Sequence, residues 1–340
     1  MRIRKEGSTA QLISVILLLL LISGNCIFQP PQNDAEFLRK TSAKHYHVSL
    51  GVNVKNTGKT LDKLVIILPL AQTNVYQDVS NMTLNGGEIL NIPETDDQYV
   101  RFTITGSDLP SVGQTKQWGY EFDITLYTIT TDFDQIDLIH SYDVNSPLYL
   151  WYTGMSGNYV DPHNSTIESI GDSIWKESSD VLDYSKRCYS YVADHFQYLN
   201  PGTGLHPLSR LLAQGGGDCG NLCSIYVSLL RYKGIPSRHI VCVRPDGSGH
   251  VWADFYLENY GWVPVDVTLK QYSSFFEDYF GKVEVGKTGM ILSKEVYLPL
   301  QIDDNTVHHA PILQYYYWWH WDSGGSGSVL ISNYVTSTEI

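Results

Sequence analysis

The sequence predicts an antiparallel β-sandwich followed by an α+β domain, and three observations carry that expectation. Between about Tyr46 and Trp151 apolar residues recur with period two, and clusters of Gly, Asn, Asp and Pro separate the runs. A turn-rich stretch, YTGMSGNYVDPHNS (152–165), then reads as a linker, and beyond it the apolar spacing becomes helical. From Arg238 the strand pattern returns. Helices followed by strands in one segment make an α+β domain.

The first region opens with HVSLGVNVKN, which alternates and then turns at Asn56-Thr57-Gly58. Leu64–Leu70 (LVIILPL) is a short apolar run, and YVRFTIT and YEFDITLYTIT alternate again. With almost no helical periodicity, a sandwich at 45–152 is expected. Nothing there groups a nucleophile with an acid and a base, so it reads as scaffold or recognition module.

The second region should contain three helices. Ile167, Ile170, Ile174 and Trp175 mark the first, and Leu182, Cys188, Tyr191, Val192, His195, Phe196 and Leu199 the second, ended by PGTG at 201–204. Leu222, Tyr226, Val227, Leu229 and Leu230 form the third, which should stop at Gly234 with Pro236 just beyond. RHIVCV (238–243), VWADFYL (251–257) and WVPVDVT (262–268) follow as strands. The α+β domain is placed at 165–300, and 301–340 is expected as a C-terminal β extension.

The N-terminus carries an address. MRIRKEG is basic, and Leu12–Ile22 is an apolar run interrupted by Ser14 alone, enough for a signal-peptide core but short of the ~20 residues a spanning helix needs. Residues 1–26 are therefore a signal peptide or membrane anchor, and 27–44, beginning IFQPPQND, a tether. Cys26 follows the apolar run with Gly24 nearby, as a lipidated cysteine would, although Asn25 is a poor residue directly before one. Lipoprotein, uncleaved anchor and secreted chain all stay open, and each places the rest of the chain outside the cytoplasm. The net charge of -13 repels phosphate backbones and argues against a nucleic-acid partner. In an oxidising compartment Cys188, Cys219, Cys223 and Cys242 allow three full pairings, and spacing does not choose among them. Asn81 and Asn164 head glycosylation sequons, meaningful only in a host that glycosylates exported chains.

The chemistry centres on GGGDCGNLC (215–223). Glycines let the backbone enter at an angle other residues resist, and Asp218 is a plausible N-cap. Cys219 then falls in the first turn of the third helix, where unpaired N–H groups and the helix dipole favour thiolate. The same N–H groups suit an oxyanion. A thiolate nucleophile works best with a histidine, and His250 opens a strand after the flexible PDGSG. A three-residue hairpin turn at Glu258-Asn259-Tyr260 would set residue 266 opposite residue 252. His250 and Asp266 would then be diagonal neighbours at ~7–8 Å between backbones, completing Cys–His–Asp. A loop of even length would put the two on opposite faces.

GGGDCGNLCSIYVSLLRYKGIPSRHIVCV and HVWADFYLENYGWVPVDVT together resemble the transglutaminase-like core of the papain-type cysteine enzymes. The matching blocks are Gly217-Asp218-Cys219-Gly220, LLRYKGIPSR (229–238), His250-x-Trp252 and Trp262-Val263-Pro264-Val265-Asp266, in that order. FQYL (196–199) and YFGKVEVG (279–286) are similar to microbial members that carry a β domain in front. The resemblance implies a papain-like α+β fold at 165–300, Cys219 as nucleophile, His250 as acid/base and Asp266 as its orienter, and no cofactor. Cys223, where many relatives carry a small residue, and Val267, where proline is usual, depart from the pattern.

Other roles compete for the same residues. A Cys219–Cys223 disulfide would join consecutive helix turns near the upper limit of reach. Zinc on Cys219, Cys223 and His250 lacks a CxxC pair and a fourth ligand. Cys223 reads as a small buried residue, and Cys188 and Cys242 as core packing or one disulfide. Gln214 matches the oxyanion glutamine of papain-type proteases only loosely, with a backbone N–H as the default. His308-His309 and YYYWWHW (315–321) suggest a metal or carbohydrate platform, or strand packing, which we favour. The function expected is thiol-dependent hydrolysis or acyl transfer at amide bonds of a protein or peptide substrate, outside the cytoplasm. Its rivals are a silent envelope protein that keeps the fold and a glycopeptide amidase.

Overall fold

The computed structural model describes residues 37–58, 60–200, 204–272, 278–322 and 328–340. The expected signal or anchor, Cys26 and the start of the tether lie outside them. No helix among the described residues is long and apolar enough to cross a membrane.

Alternation in the first region does build stacked antiparallel sheets. One contains β1 (Leu38–Asn56) and β3 (Gln77–Leu84), each paired to β6 (Thr115–Thr131). The other runs β2 (Lys63–Pro69), β5 (Gln98–Thr105), β4 (Glu88–Asn91). Val48, Leu50 and Val52 of β1 share a core with Leu64, Ile66 and Leu68 of β2 and with Phe102. Burial of each such side chain contributes about 1.5–3 kcal/mol. Val65 and Ile67, on the opposite face of β2, pack under a hairpin of β14 (Leu298–Asp303) and β15 (Thr306–Ala310) through Leu298 and Leu300. Burial on both faces explains why LVIILPL does not alternate.

One boundary differs from expectation. β1 starts at Leu38, inside the stretch expected as tether. The C-terminal chain, expected as a β extension, is β structure that returns to the sandwich. β16 (Tyr317–Trp321) pairs with β2, and β17 (Val329–Glu339) pairs with β1 along its length. Both fill the open sides of β1 and β2, whose main-chain groups would otherwise lie unpaired at a sheet edge.

The second region is α+β. Its sheet has the order β11 (Gly261–Val265), β10 (Gly249–Leu257), β9 (Ser237–Val243), β13 (Met290–Lys294). β12 (Lys282–Val283) reaches back to β6. Among the described residues six helices accompany the sheet: α1 (Pro147–Thr153), α2 (Ser165–Trp175), α3 (Val181–His195), α4 (Leu208–Gln214), α5 (Cys219–Tyr232) and α6 (Val267–Tyr272). Asn164 and Asp180 cap α2 and α3 by accepting the Thr166 and Asp183 N–H groups. α1 and α4 lie where no helix is expected. Ser146 and Pro147 give α1 a cap and a first-turn proline, with Tyr149 N–H donating to Ser146 Oγ at 3.1 Å.

α5 is the central helix, buried from Gly220 to Arg231. It ends as the sequence predicts. Gly234 takes φ 68°, Ile235 N–H donates to Leu230 O at 3.1 Å, and Gly234 N–H donates to Arg231 O at 3.0 Å. Arg231 is buried at that end, ion-paired with buried Glu295 and donating to Ser237 O. WVPVDVT does not run to 268 as strand; β11 stops at Val265 and α6 begins at Val267, so Asp266 sits at the junction.

Candidate active site

The chain enters α5 through a contact that excludes a side chain. β7 (Gln197–Tyr198) and β8 (Gly216–Gly217) form a short parallel pair. A Cβ on Gly216 would lie 2.0 Å from Gln197 O, and one on Gly217 would lie 2.4 Å from Asn221 Cβ. Asp218 caps the helix, accepting Asn221 N–H at 3.1 Å and the Asn221 amide at 2.6 Å. Asn221, which sequence reasoning passed over, is fully buried and also accepts His206 N–H at 2.9 Å, so it ties the 204–206 loop to the helix start. Burial raises the Asp218 carboxyl above its ordinary range, with the Asn221 hydrogen bonds opposing.

Cys219 is the first residue of that helix, so its N–H has no intrahelical acceptor by position. It is half-buried and lines a cleft of about 610 Å³. Asp218 and Gly220 flank it there, Gly249 and Val251 come from β10, and Ile312, Gln314 and Tyr315–Tyr317 form a further wall.

His250 stands at the start of β10, opposite Cys242 of β9. Leu257 pairs with Gly261 and Ala253 with Val265, so the hairpin loop is the three residues 258–260 and residue 266 continues opposite 252. Tyr260 N–H closes the turn on Leu257 O at 3.0 Å, with Asn259 at φ 68°, a conformation asparagine tolerates. The predicted register is the observed one. His250 Nε2 donates to Asp266 Oδ2 at 2.6 Å, and both side chains are buried. The other carboxylate oxygen accepts Leu269 N–H at 2.9 Å, so Asp266 also caps α6. With Nε2 committed to Asp266, Nδ1 is the ring nitrogen left for the thiol. Burial works against a charged His250, but the Asp266 charge and hydrogen bond, joined by the Cys219 side chain, raise its pKa to about 9.

The remaining candidates fall into structural places. Cys188, Cys223 and Cys242 are buried free thiols, so the packing reading of Cys188 and Cys242 replaces a disulfide. Burial raises the pKa of all three. Cys223 Sγ lies 3.7 Å from Val251 O, and Trp252 Nε1 donates to Cys242 Sγ at 3.1 Å. Gln214 donates to Gly216 O at 2.7 Å, bracing the glycine turn. Among the described residues no group of three His, Cys, Asp or Glu side chains is placed to hold a metal ion. Tyr317–Trp321 forms β16, but Tyr315, Tyr316 and Tyr317 also line the cleft, a role the strand-packing reading missed. No local signal could have found it, because the partner surface lies about seventy residues upstream in sequence.

Residues 168–267 match the model of the transglutaminase-like superfamily. A candidate cysteine protease from Cytophaga hutchinsonii has a similar fold, with a TM-score of 0.60 at 10% identity, covering 89% of this chain and 93% of that one. The periplasmic domain of TgpA from Pseudomonas aeruginosa is more distant, at a TM-score of 0.35 and 12% identity over 69% of this chain and 93% of that one. An uncharacterized protein from Haemophilus influenzae is 26% identical over 137 residues, 31% of this chain and 37% of the relative. The chain thus spans little more than a third of that relative's length.

Proposed function

We propose, from the premise that residues 168–267 form a transglutaminase-like domain, that the protein is a thiol-dependent enzyme cleaving amide bonds of protein or peptide substrates. The observation that carries this reading is the buried His250–Asp266 pair at 2.6 Å, set against a half-buried cysteine at a helix N-terminus in a cleft. Cys219 is the nucleophile, His250 the acid/base and Asp266 the group that holds the imidazole and supports its charge.

The Cys219 thiolate attacks the amide carbon, forming an S–C bond and an oxyanion that the first-turn N–H groups of α5 stabilise. The C–N bond breaks as the His250 imidazolium gives its proton to the leaving amine or ammonia. A thioester remains on Cys219. His250, now neutral, takes a proton from the acceptor as it attacks the thioester, which restores thiolate and imidazolium. We take water as the acceptor, in keeping with a protein of similar fold described as a candidate cysteine protease. No step requires a metal or cofactor. The basic and apolar N-terminal stretch supports an activity outside the cytoplasm, on a secreted or membrane-anchored chain.

A proteome-wide comparison of wild type with Cys219→Ala tests the reading. New peptide termini that depend on Cys219 are expected. New Gln–Lys linkages would make the protein a transferase, released free glycan would make it an amidase of glycopeptides, and no difference would leave a silent scaffold.

A further inference from the structure

The cleft wall opposite α5 is made by the segment that leads into β16, and one of its side chains reaches the main chain of His250. Gln314 Nε2 donates to Cys242 O at 2.8 Å and to His250 O at 3.3 Å, spanning the β9–β10 rung on which His250 sits. The amide lies directly over Gly249. A Cβ there would stand 2.7 Å from Gln314 Nε2 and 2.9 Å from its Oε1, so the glycine next to His250 leaves room for this amide. Neighbouring contacts hold the same turn: Tyr315 OH donates to Gly247 O at 3.1 Å, and Ser337 Oγ of β17 donates to Pro245 O at 2.8 Å.

The Asp266 contact fixes only one end of the imidazole. Where Nδ1 meets the sulfur depends on the His250 backbone, which begins a strand directly after the 244–248 turn. Gln314 lines the cleft beside Cys219, and its Nε2 is engaged with two carbonyls. Among the described residues its Oε1 has no donor, which leaves an amide carbonyl at the cleft to accept an N–H. We propose that Gln314 is a positioning residue that holds His250 against Cys219 through the main chain and presents its carbonyl to a main-chain N–H of an extended peptide substrate. This rests on the cysteine-enzyme reading above.

The test is iodoacetamide alkylation of Cys219 in the full chain between pH 5 and 9, read by peptide mapping, with a thermal melt as the fold control. Gln314→Met keeps the volume and removes both polar ends. It should slow alkylation near pH 6.5 about tenfold, since sub-ångström misplacement of reacting groups carries costs of this order. Gly249→Ala, which displaces the amide without deleting it, should slow it similarly, and the double variant should lose less than the two losses combined. With cleaved peptides identified from the proteome comparison, Gln314→Met should in addition raise KM, and N-methylation of the substrate amide should remove that difference. Folded variants that alkylate within twofold of wild type would overturn the positioning role. A KM difference that survives N-methylation would overturn the carbonyl role. A wild type whose Cys219 is insensitive to His250→Ala would instead overturn the enzyme reading and this inference with it.

Discussion

Strand β10 carries two buried acid–base pairs four residues apart, and they differ in what they can do. His250 meets Asp266 at 2.6 Å, and Asp254 meets Arg238 at 3.0 Å. The second pair is sealed. The Arg238 guanidinium lies 3.7 Å from the Trp262 ring centroid, Tyr76 OH donates to Asp254 Oδ2 at 3.3 Å, and Arg238 donates toward Tyr152. A guanidinium keeps its proton across the accessible range, so this pair only holds structure. The first pair contains an imidazole, which Asp266 and Cys219 keep protonated up to about pH 9, and its second ring nitrogen is left for the thiol. Burial and pairing alone therefore do not mark a site; an imidazole set between a carboxylate and a thiol that lines a cleft does.

The largest effect should come from breaking the sealed pair. Arg238→Met strands the Asp254 carboxylate and should cost about 3–5 kcal/mol in urea unfolding. Adding Asp254→Leu should recover much of that. A loss under about 1 kcal/mol for the single variant would remove the contrast.

Next comes the pH dependence of the open pair. The folded pKa of His250, about 9, lies above the ~6.5 of an unfolded histidine. Its contribution is fully present below ~6.5 and is lost as pH rises through about 9, on the order of 3 kcal/mol. Urea midpoints of wild type should fall across that window, while His250→Ala should show little of the fall. Parallel curves for the two would contradict it.

Asp266→Asn is a finer cut. Asparagine still caps α6 but loses the charge that supports the imidazolium. The pH-dependent part of the stability should shrink by at least half, with helix content by circular dichroism unchanged. An unaltered pH curve would show that the carboxylate does not carry the His250 shift.

Smallest is Cys223→Ala. Removing one buried sulfur should cost about 1 kcal/mol and leave Cys219 alkylation within twofold. A larger change in alkylation would make Cys223 part of the site.

Much of the site was legible because its logic is local. The turn at 258–260, the cap at Asp218 and the stop at Gly234 are each set by a few adjacent residues; the turn sets His250 against Asp266, and the cap starts the helix that places Cys219 at the cleft. Long-range closure was not legible. Nothing around Val329–Glu339 announces β1 as its partner, and nothing in ILQYY marks Gln314 as a neighbour of His250. Asn221 hid for another reason: a polar residue in a helix start reads as solvent-facing until a loop folds over it.

The central claim is that His250 sets the reactivity of Cys219, and the alkylation profile tests it most directly. Cys188, Cys223 and Cys242 are buried, so of the cysteines among the described residues Cys219 should take up iodoacetamide fastest. Its wild-type profile should rise well below pH ~8.5, where a free cysteine does. His250→Ala should move the rise toward that value. Near pH 6.5 this leaves about one-hundredth of the thiolate, partly offset by its greater nucleophilicity, a net slowing of about tenfold. Wild type and His250→Ala that alkylate at the same rate, with the profile of a free thiol, would contradict the account.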